Sequence, residues 1–134
     1  MALGRSRFAT RKPPRAGRPA WKVADEYRRW LRKLPCARCE TVGTIGNPII
    51  AAHVDLAGKG SRDAKGASSK VADRFCLPLC NDCHREQTEV LGWPAFEKLL
   101  PMSDAEALSG VYWTEWPGRR EWERQQAAGV EARA

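Results

Sequence analysis

Two Cys-x2-Cys pairs, Cys36 with Cys39 and Cys80 with Cys83, constrain this chain more than any other feature. Two thiolates at that spacing sit on one tight turn with both sulfurs facing the same way, so each pair offers half of a tetrahedral ion's ligands. The 40 residues between Cys39 and Cys80 exceed the gap of about 15–20 residues usual in a compact zinc ribbon. A structural unit must therefore be inserted between the knuckles. The expectation is a structural zinc on Cys36, Cys39, Cys80 and Cys83. The fifth thiol, Cys76, fits neither pair and lies in the apolar run 75–79, so it is expected to be a small buried hydrophobe.

This metal reading depends on a reducing compartment. No apolar run approaches the length of a membrane span. The basic N-terminus also lacks the apolar core and cleavage site of a secretion signal. A soluble, cytoplasmic protein is expected, and there paired cysteines indicate metal or redox chemistry rather than disulfides. A thioredoxin-like motif would be one pair near a βαβ pattern; two pairs favour zinc.

The formal charge of +7 is concentrated on one arm. Residues 1–22 carry Arg5, Arg7, Arg11, Lys12, Arg15, Arg18 and Lys22 and no acid, while the remaining basic and acidic side chains balance. Pro13, Pro14, Pro19, Gly4 and Gly17 exclude a long helix there. Residues 1–19 are expected to be a disordered arm that binds phosphate backbones by counterion release. A solubilising leader or a protein-binding arm would have the same composition.

From residue 20 the pattern changes. Trp21, Val23, Tyr27, Trp30, Leu31 and Leu34 recur at spacings of three and four, predicting a helix over 20–34 whose aromatic residues are core contacts. Arg28, Arg29, Arg32 and Lys33 fall largely off that stripe, and Pro35 stops the helix before the first knuckle. Residues 49–56 (IIAAHVDL) predict a strand with Ala51, His53 and Asp55 on one face. The Gly-, Ser- and Lys-rich stretch 57–69 predicts a loop in which Lys59, Arg62 and Lys65 stand ready for phosphate. Residues 70–79 predict a second strand, irregular or at an edge because of Pro78. The second knuckle then opens a helix capped by Asn81 or Asp82, ending at Gly92, with Pro94 in the first turn of the next. Ser103 and Glu106 suggest a capping box, and the tail from Trp116 a last helix. The expected organisation is the arm (1–19), a zinc-braced domain (20–100) and a helical extension (101–134).

The chain has two histidines, and both fall inside the zinc-braced unit: His53 on the first strand and His84 directly after Cys83. On the first turn of a helix, His84 can extend the zinc cluster, cap the helix or bind a second metal.

The order of these motifs carries a resemblance. Cys-x2-Cys, a strand containing Ala52-His53-Val54, and then Asp73-Arg74-Phe75-x-x-Pro78-Leu79-Cys80-x-x-Cys83-His84-Arg85-Glu86-Gln87 resemble the HNH endonucleases, above all the small HNH proteins of bacteriophages and prophages. The likeness covers roughly residues 34–97. It implies an α+β fold with a small ββα-metal core, braced by the four-cysteine zinc site and flanked by helices. It also implies DNA as the partner and phosphodiester hydrolysis as the activity, in a bacterial or phage-infected cell.

Position by position, the resemblance makes His53 the general base, His84 a ligand of a catalytic Mg²⁺ or Mn²⁺, and Asp73 the group that orients the base. The chain departs from the pattern at Ala52, where many members carry a metal ligand, and at Thr88, where related helices often carry a second histidine. Asp55 is the candidate substitute ligand. A non-catalytic, zinc-stabilised DNA-binding module is the alternative reading of the same residues.

Overall fold

The computed structural model describes residues 19–55 and 71–133. The basic arm with Arg5, Arg7, Arg11, Lys12, Arg15 and Arg18, and the loop with Lys59, Arg62 and Lys65, lie outside the described residues.

The helix expected over 20–34 is broken. A 3-10 turn, Ala20–Lys22, is followed by extended Val23 and Ala24, and helix α1 occupies only Asp25–Leu31. The break has a tertiary cause: the Ala24 N–H donates to Asp73 Oδ2 at 2.8 Å, 49 residues away in sequence. That bond satisfies a helix-terminal N–H which no side chain of the cap supplies. Trp21, counted as core from the stripe, is instead 51% exposed, whereas Tyr27 and Leu31 are fully buried.

Strands β1 (Ile49–His53) and β2 (Cys76–Cys80) pair antiparallel, with Ala51 opposite Pro78 and His53 opposite Cys76. The second strand begins later than expected, because Asp73–Phe75 forms a 3-10 turn before it. Pro78 is tolerated because its backbone faces away from β1. Its carbonyl accepts the Ala37 N–H at 2.7 Å, so a proton on its own nitrogen would also have pointed off the ladder. The same bond docks the first knuckle on the outer side of β2.

Helix α2 (Asn81–Arg85) starts directly at the end of β2. Its cap is neither Asn81 nor Asp82: Cys80 is the N-cap residue and its sulfur accepts from the Cys83 N–H at 3.4 Å. The loop before β1 satisfies the other first-turn donors, Asn47 Oδ1 taking the Asp82 N–H and the Pro48 carbonyl taking the Asn81 N–H. The helix widens into a π turn, Glu86–Leu91, which ends at Gly92 with φ of 73°, a conformation that favours glycine. Helix α3 (Gly92–Phe96) follows with Pro94 in its first turn.

Helix α4 (Ala105–Glu115) is capped by Asp104, whose Oδ1 accepts from Ala107 N–H, rather than by the expected Ser103. Ser103 has a positive φ and is held in the preceding turn. Helix α5 (Arg119–Arg133) is the last helix expected from the tail. Trp122 on α5 donates its indole N–H to the Val23 carbonyl at 2.9 Å, pinning α5 to the segment before α1.

The sheet separates two apolar clusters. Ala52, Leu77 and Leu79 meet Val54, Phe96, Leu100 and Leu108 on one side. Ala51 and Cys76 meet Tyr27, Leu31 and Trp116 on the other. Tyr27 contacts Trp113 edge-on and Trp116 at a tilt, so the second cluster is largely aromatic. The whole is an α+β arrangement with a small ββα-like centre, β1–β2–α2. Among the described residues no helix is long and apolar enough to cross a membrane.

Candidate functional site

The four paired cysteines converge. The sulfurs of Cys36, Cys39, Cys80 and Cys83 all lie within 4.8 Å of one another, with Cys39 exposed and the other three buried. Cys76 is buried elsewhere, against the aromatic cluster, as expected of a small hydrophobe. Each knuckle is built by local hydrogen bonds. The first closes through Cys36 N–H to the Thr41 carbonyl and Glu40 N–H to the Cys36 carbonyl, both 2.9 Å, and the second through Cys83 N–H to Cys80 Sγ. Arg38 and Glu86, 3.4 Å apart, join the knuckles at the surface.

Burial pushes the Cys36 and Cys83 thiols up. Cys39 is held down at about 6, chiefly by the Thr41 hydroxyl, whose oxygen lies 3.1 Å from the sulfur. Four thiolates this close repel one another unless a divalent cation sits between them, and a cation that does so deprotonates its thiols outright. An all-sulfur set of four at this separation is the donor chemistry of structural zinc. The four-cysteine group can hold a metal such as zinc.

The second feature is a cavity of about 830 Å³ running along the free edge of β1. His53 and Asp55 line it from β1 and just beyond, and His84, Gln87 and Thr88 line it from α2 and the π turn. Trp93 and Glu97 close the far side, and Arg28 reaches in from α1. Both imidazoles therefore border one space, although they arise on different elements.

His53 is fixed by Asp73. The imidazole Nε2 lies 2.8 Å from Asp73 Oδ1, and the Asp73 side chain is 1% exposed. Burying a carboxylate is costly unless it is paired or hydrogen-bonded. Here Oδ1 meets His53 and Oδ2 takes the Ala24 N–H. With an ionised Asp73 the imidazole must carry its proton on Nε2, which leaves Nδ1 as the acceptor nitrogen. His84 is half-buried, and burial lowers its pKa, so its ring stays neutral at neutral pH and able to ligate.

The two expected ligands of the catalytic ion, His84 and Asp55, share the cavity. Among the described residues, however, no group of three convergent ligand atoms includes either of them. Mg²⁺ keeps several waters and takes one or two protein ligands, so a catalytic ion here would rest on at most these two side chains.

Sequence reasoning missed Arg28. Its position off the apolar stripe groups it with the exposed basic residues, yet it lines the cavity and its Nη2 donates to the Ala51 carbonyl at 3.3 Å. The shortened α1 turns it inward, and the one legible signal was its position one residue after the buried Tyr27. Gln87, buried at the π turn, was missed as well, since a π widening leaves no mark in helical periodicity.

Comparisons with protein-family models, with curated proteins and with solved structures return no match. The fold and site define the class on their own: an α+β protein with a four-cysteine group suited to zinc and a ββα-like centre beside a cavity lined by both histidines.

Proposed function

We propose that this chain is a metal-dependent endonuclease of the HNH type, hydrolysing DNA phosphodiester bonds. The observation that carries the reading is the His53–Asp73 hydrogen bond at the edge of the cavity that His84 also lines.

In this mechanism Asp73 accepts the Nε2 proton and fixes the tautomer, and His53 Nδ1 removes a proton from the attacking water. A general base so placed contributes about 10²–10⁴-fold. Arg28 presents its guanidinium to the phosphate, and the first-strand edge and the α2 turn confine the scissile group between them. Mg²⁺ or Mn²⁺, bound by His84 with help from Asp55 and water, would supply charge relief on the phosphate and the leaving oxygen. Zinc, which Cys36, Cys39, Cys80 and Cys83 would hold, would tie the first knuckle to the β2–α2 junction and so steady His84 relative to His53. The arm carrying Arg5, Arg7, Arg11, Lys12, Arg15 and Arg18, together with Lys59 and Lys65 of the loop, would add backbone affinity without sequence selectivity.

The test is nicking of supercoiled plasmid with added Mg²⁺ or Mn²⁺, compared with His53→Ala. The variant should retain zinc and fold and lose nicking. A second reading, a DNA-binding module without catalysis, is favoured by the absence of His84 and Asp55 from any three-ligand group among the described residues. Under that reading the protein retards DNA in a gel, and neither the added ion nor His53→Ala changes the DNA's integrity.

A further inference from the structure

The His53–Asp73 pair has a third member that the hydrolytic mechanism does not use. Cys76 faces His53 across the two-stranded ladder, and its sulfur, Asp73 carboxylate oxygen and His53 ring nitrogen all lie within 4.8 Å of one another. This is a separate group from the four-cysteine cluster, with three donor types instead of one.

We propose that His53, Asp73 and Cys76 form a second metal site, selective for a thiophilic divalent cation of the Zn²⁺ or Cd²⁺ kind, and that filling it silences His53. The silencing half rests on the nuclease reading above; the metal site does not.

The donor set argues for the ion class. A thiolate, an imidazole and a carboxylate together match Zn²⁺, whereas a thiolate is a poor ligand for Mg²⁺. Two anionic ligands against a dication leave no net charge in a corner where Asp73 and Cys76 are fully buried. Asp73 is already positioned by the Ala24 N–H, as ligating carboxylates generally are by an outer hydrogen bond. Of the three donors His53 borders the cavity, the side from which an ion and a water for its fourth position would arrive. Zinc–ligand bonds of about 2.0–2.1 Å at a tetrahedral angle separate N and O by roughly 3.3 Å. The present 2.8 Å contact therefore has to open by only about half an ångström.

The consequence for His53 follows from the tautomer. A cation on Nε2 takes the place of the proton now shared with Asp73, and that proton moves through solvent to Nδ1. A neutral imidazole has one proton, so the nitrogen required to accept from water becomes a donor. The Cys76 thiol releases its proton to solvent as it binds. The same carboxylate thus supports the base in Mg²⁺ alone and traps it when a thiophilic ion is present.

The test titrates the full chain, purified with its first metal in place, with Cd²⁺. Bound equivalents and the imidazole ¹⁵N spectrum are followed, the latter simple because the chain has two histidines. Wild type should bind one equivalent more than Cys76→Ala, with one imidazole moving its proton from Nε2 to Nδ1. Equal stoichiometry in the two proteins, or a shift confined to His84, overturns the site. Should Cys76→Ala fail to fold, wild type alone decides: the thiolate-to-cadmium absorbance must grow beyond that of four thiolates as the His53 signal moves, and a flat absorbance overturns it. Micromolar Zn²⁺ should lower Mg²⁺-supported nicking by wild type at least tenfold, and undiminished nicking by protein carrying the extra equivalent overturns the silencing. Absence of nicking under every condition removes the nuclease reading, while the metal counts still decide the site.

Discussion

Asp73 ties His53 to the start of α1: one carboxylate oxygen meets the imidazole Nε2 at 2.8 Å and the other takes the Ala24 N–H at 2.8 Å. A single buried side chain thus fixes both the tautomer of the proposed base and the point where the first helix begins. Asp73→Asn should lower plasmid nicking by about 10²–10⁴-fold, the range a positioned general base supplies. Asp73→Ala should in addition lose about 1–3 kcal/mol of stability, because it strands a buried N–H. Nicking rates and denaturant melts check the two effects separately. Wild-type nicking by folded Asp73→Asn would remove Asp73 from the role of orienting the base.

The four-cysteine group makes a sharper stability prediction. A structural zinc site contributes folding free energy outright, on a scale that rivals the roughly 5–15 kcal/mol of a whole domain. Cys36→Ser and Cys80→Ser should each lose zinc and the cooperative melt, and a strong chelator should do the same to wild type. Cys76→Ser, outside the group, should keep the zinc of the four cysteines and melt cooperatively. Zinc content and circular dichroism on the three variants are sufficient. Cooperative, zinc-free melting of the first two would refute a structural ion.

What the sequence revealed and what it hid divide along one physical line. The knuckles, the two strands around His53 and Pro78, the stop at Gly92 and the final helix were legible, because each is encoded by neighbouring residues: spacing, β-branching, a positive φ, periodicity. The break before α1 was not, since the Ala24 N–H answers to a carboxylate 49 residues away. Ser103 lost the cap to Asp104 because the turn at Met102 and Ser103 takes positive φ, and Asn81 lost it to a sulfur whose position the second knuckle fixes. Motif order singled out His53, Asp73 and His84; the structure places Asp73 against His53 and lines one cavity with both histidines. Arg28 and Cys76 were not, because their relation to His53 arises only when α1 and β2 pack around it.

Arg28 therefore offers a test independent of the histidines. Its Nη2 holds the Ala51 carbonyl at 3.3 Å, while its buried Nε has no partner among the described residues. A phosphate in the cavity that Arg28 lines would meet its guanidinium, and a hydrogen bond to a charged group is worth about 1.5–3 kcal/mol. Arg28→Ala should then weaken DNA binding or slow nicking by about ten- to a hundredfold. Arg28→Lys should recover only part, since an ammonium lacks the planar fork. Unchanged binding and nicking in Arg28→Ala would exclude it from the phosphate site.

The aromatic cluster predicts how the fold responds to alkali. The chain has two tyrosines, and the pKa of each is raised. Burial is the main cause for both; the Cys76 charge adds to it at Tyr27 and the Glu115 charge at Tyr112. In the unfolded chain a tyrosine ionises near pH 10. Between that pH and the higher folded value, the unfolded state releases protons that the native state keeps, so rising pH favours unfolding. The stabilisation is complete below about pH 10 and is lost as pH climbs above it. Tyrosinate absorbance should accordingly stay flat past pH 10 and then appear together with loss of tryptophan burial, in one transition. Tyr27→Phe removes a buried hydroxyl that lacks a partner among the described residues, so it should leave stability at neutral pH unchanged or higher and move the alkaline midpoint upward. Formation of both tyrosinates near pH 10 in protein that keeps its native fluorescence would mean that Tyr27 is not sealed beneath Trp113 and Trp116.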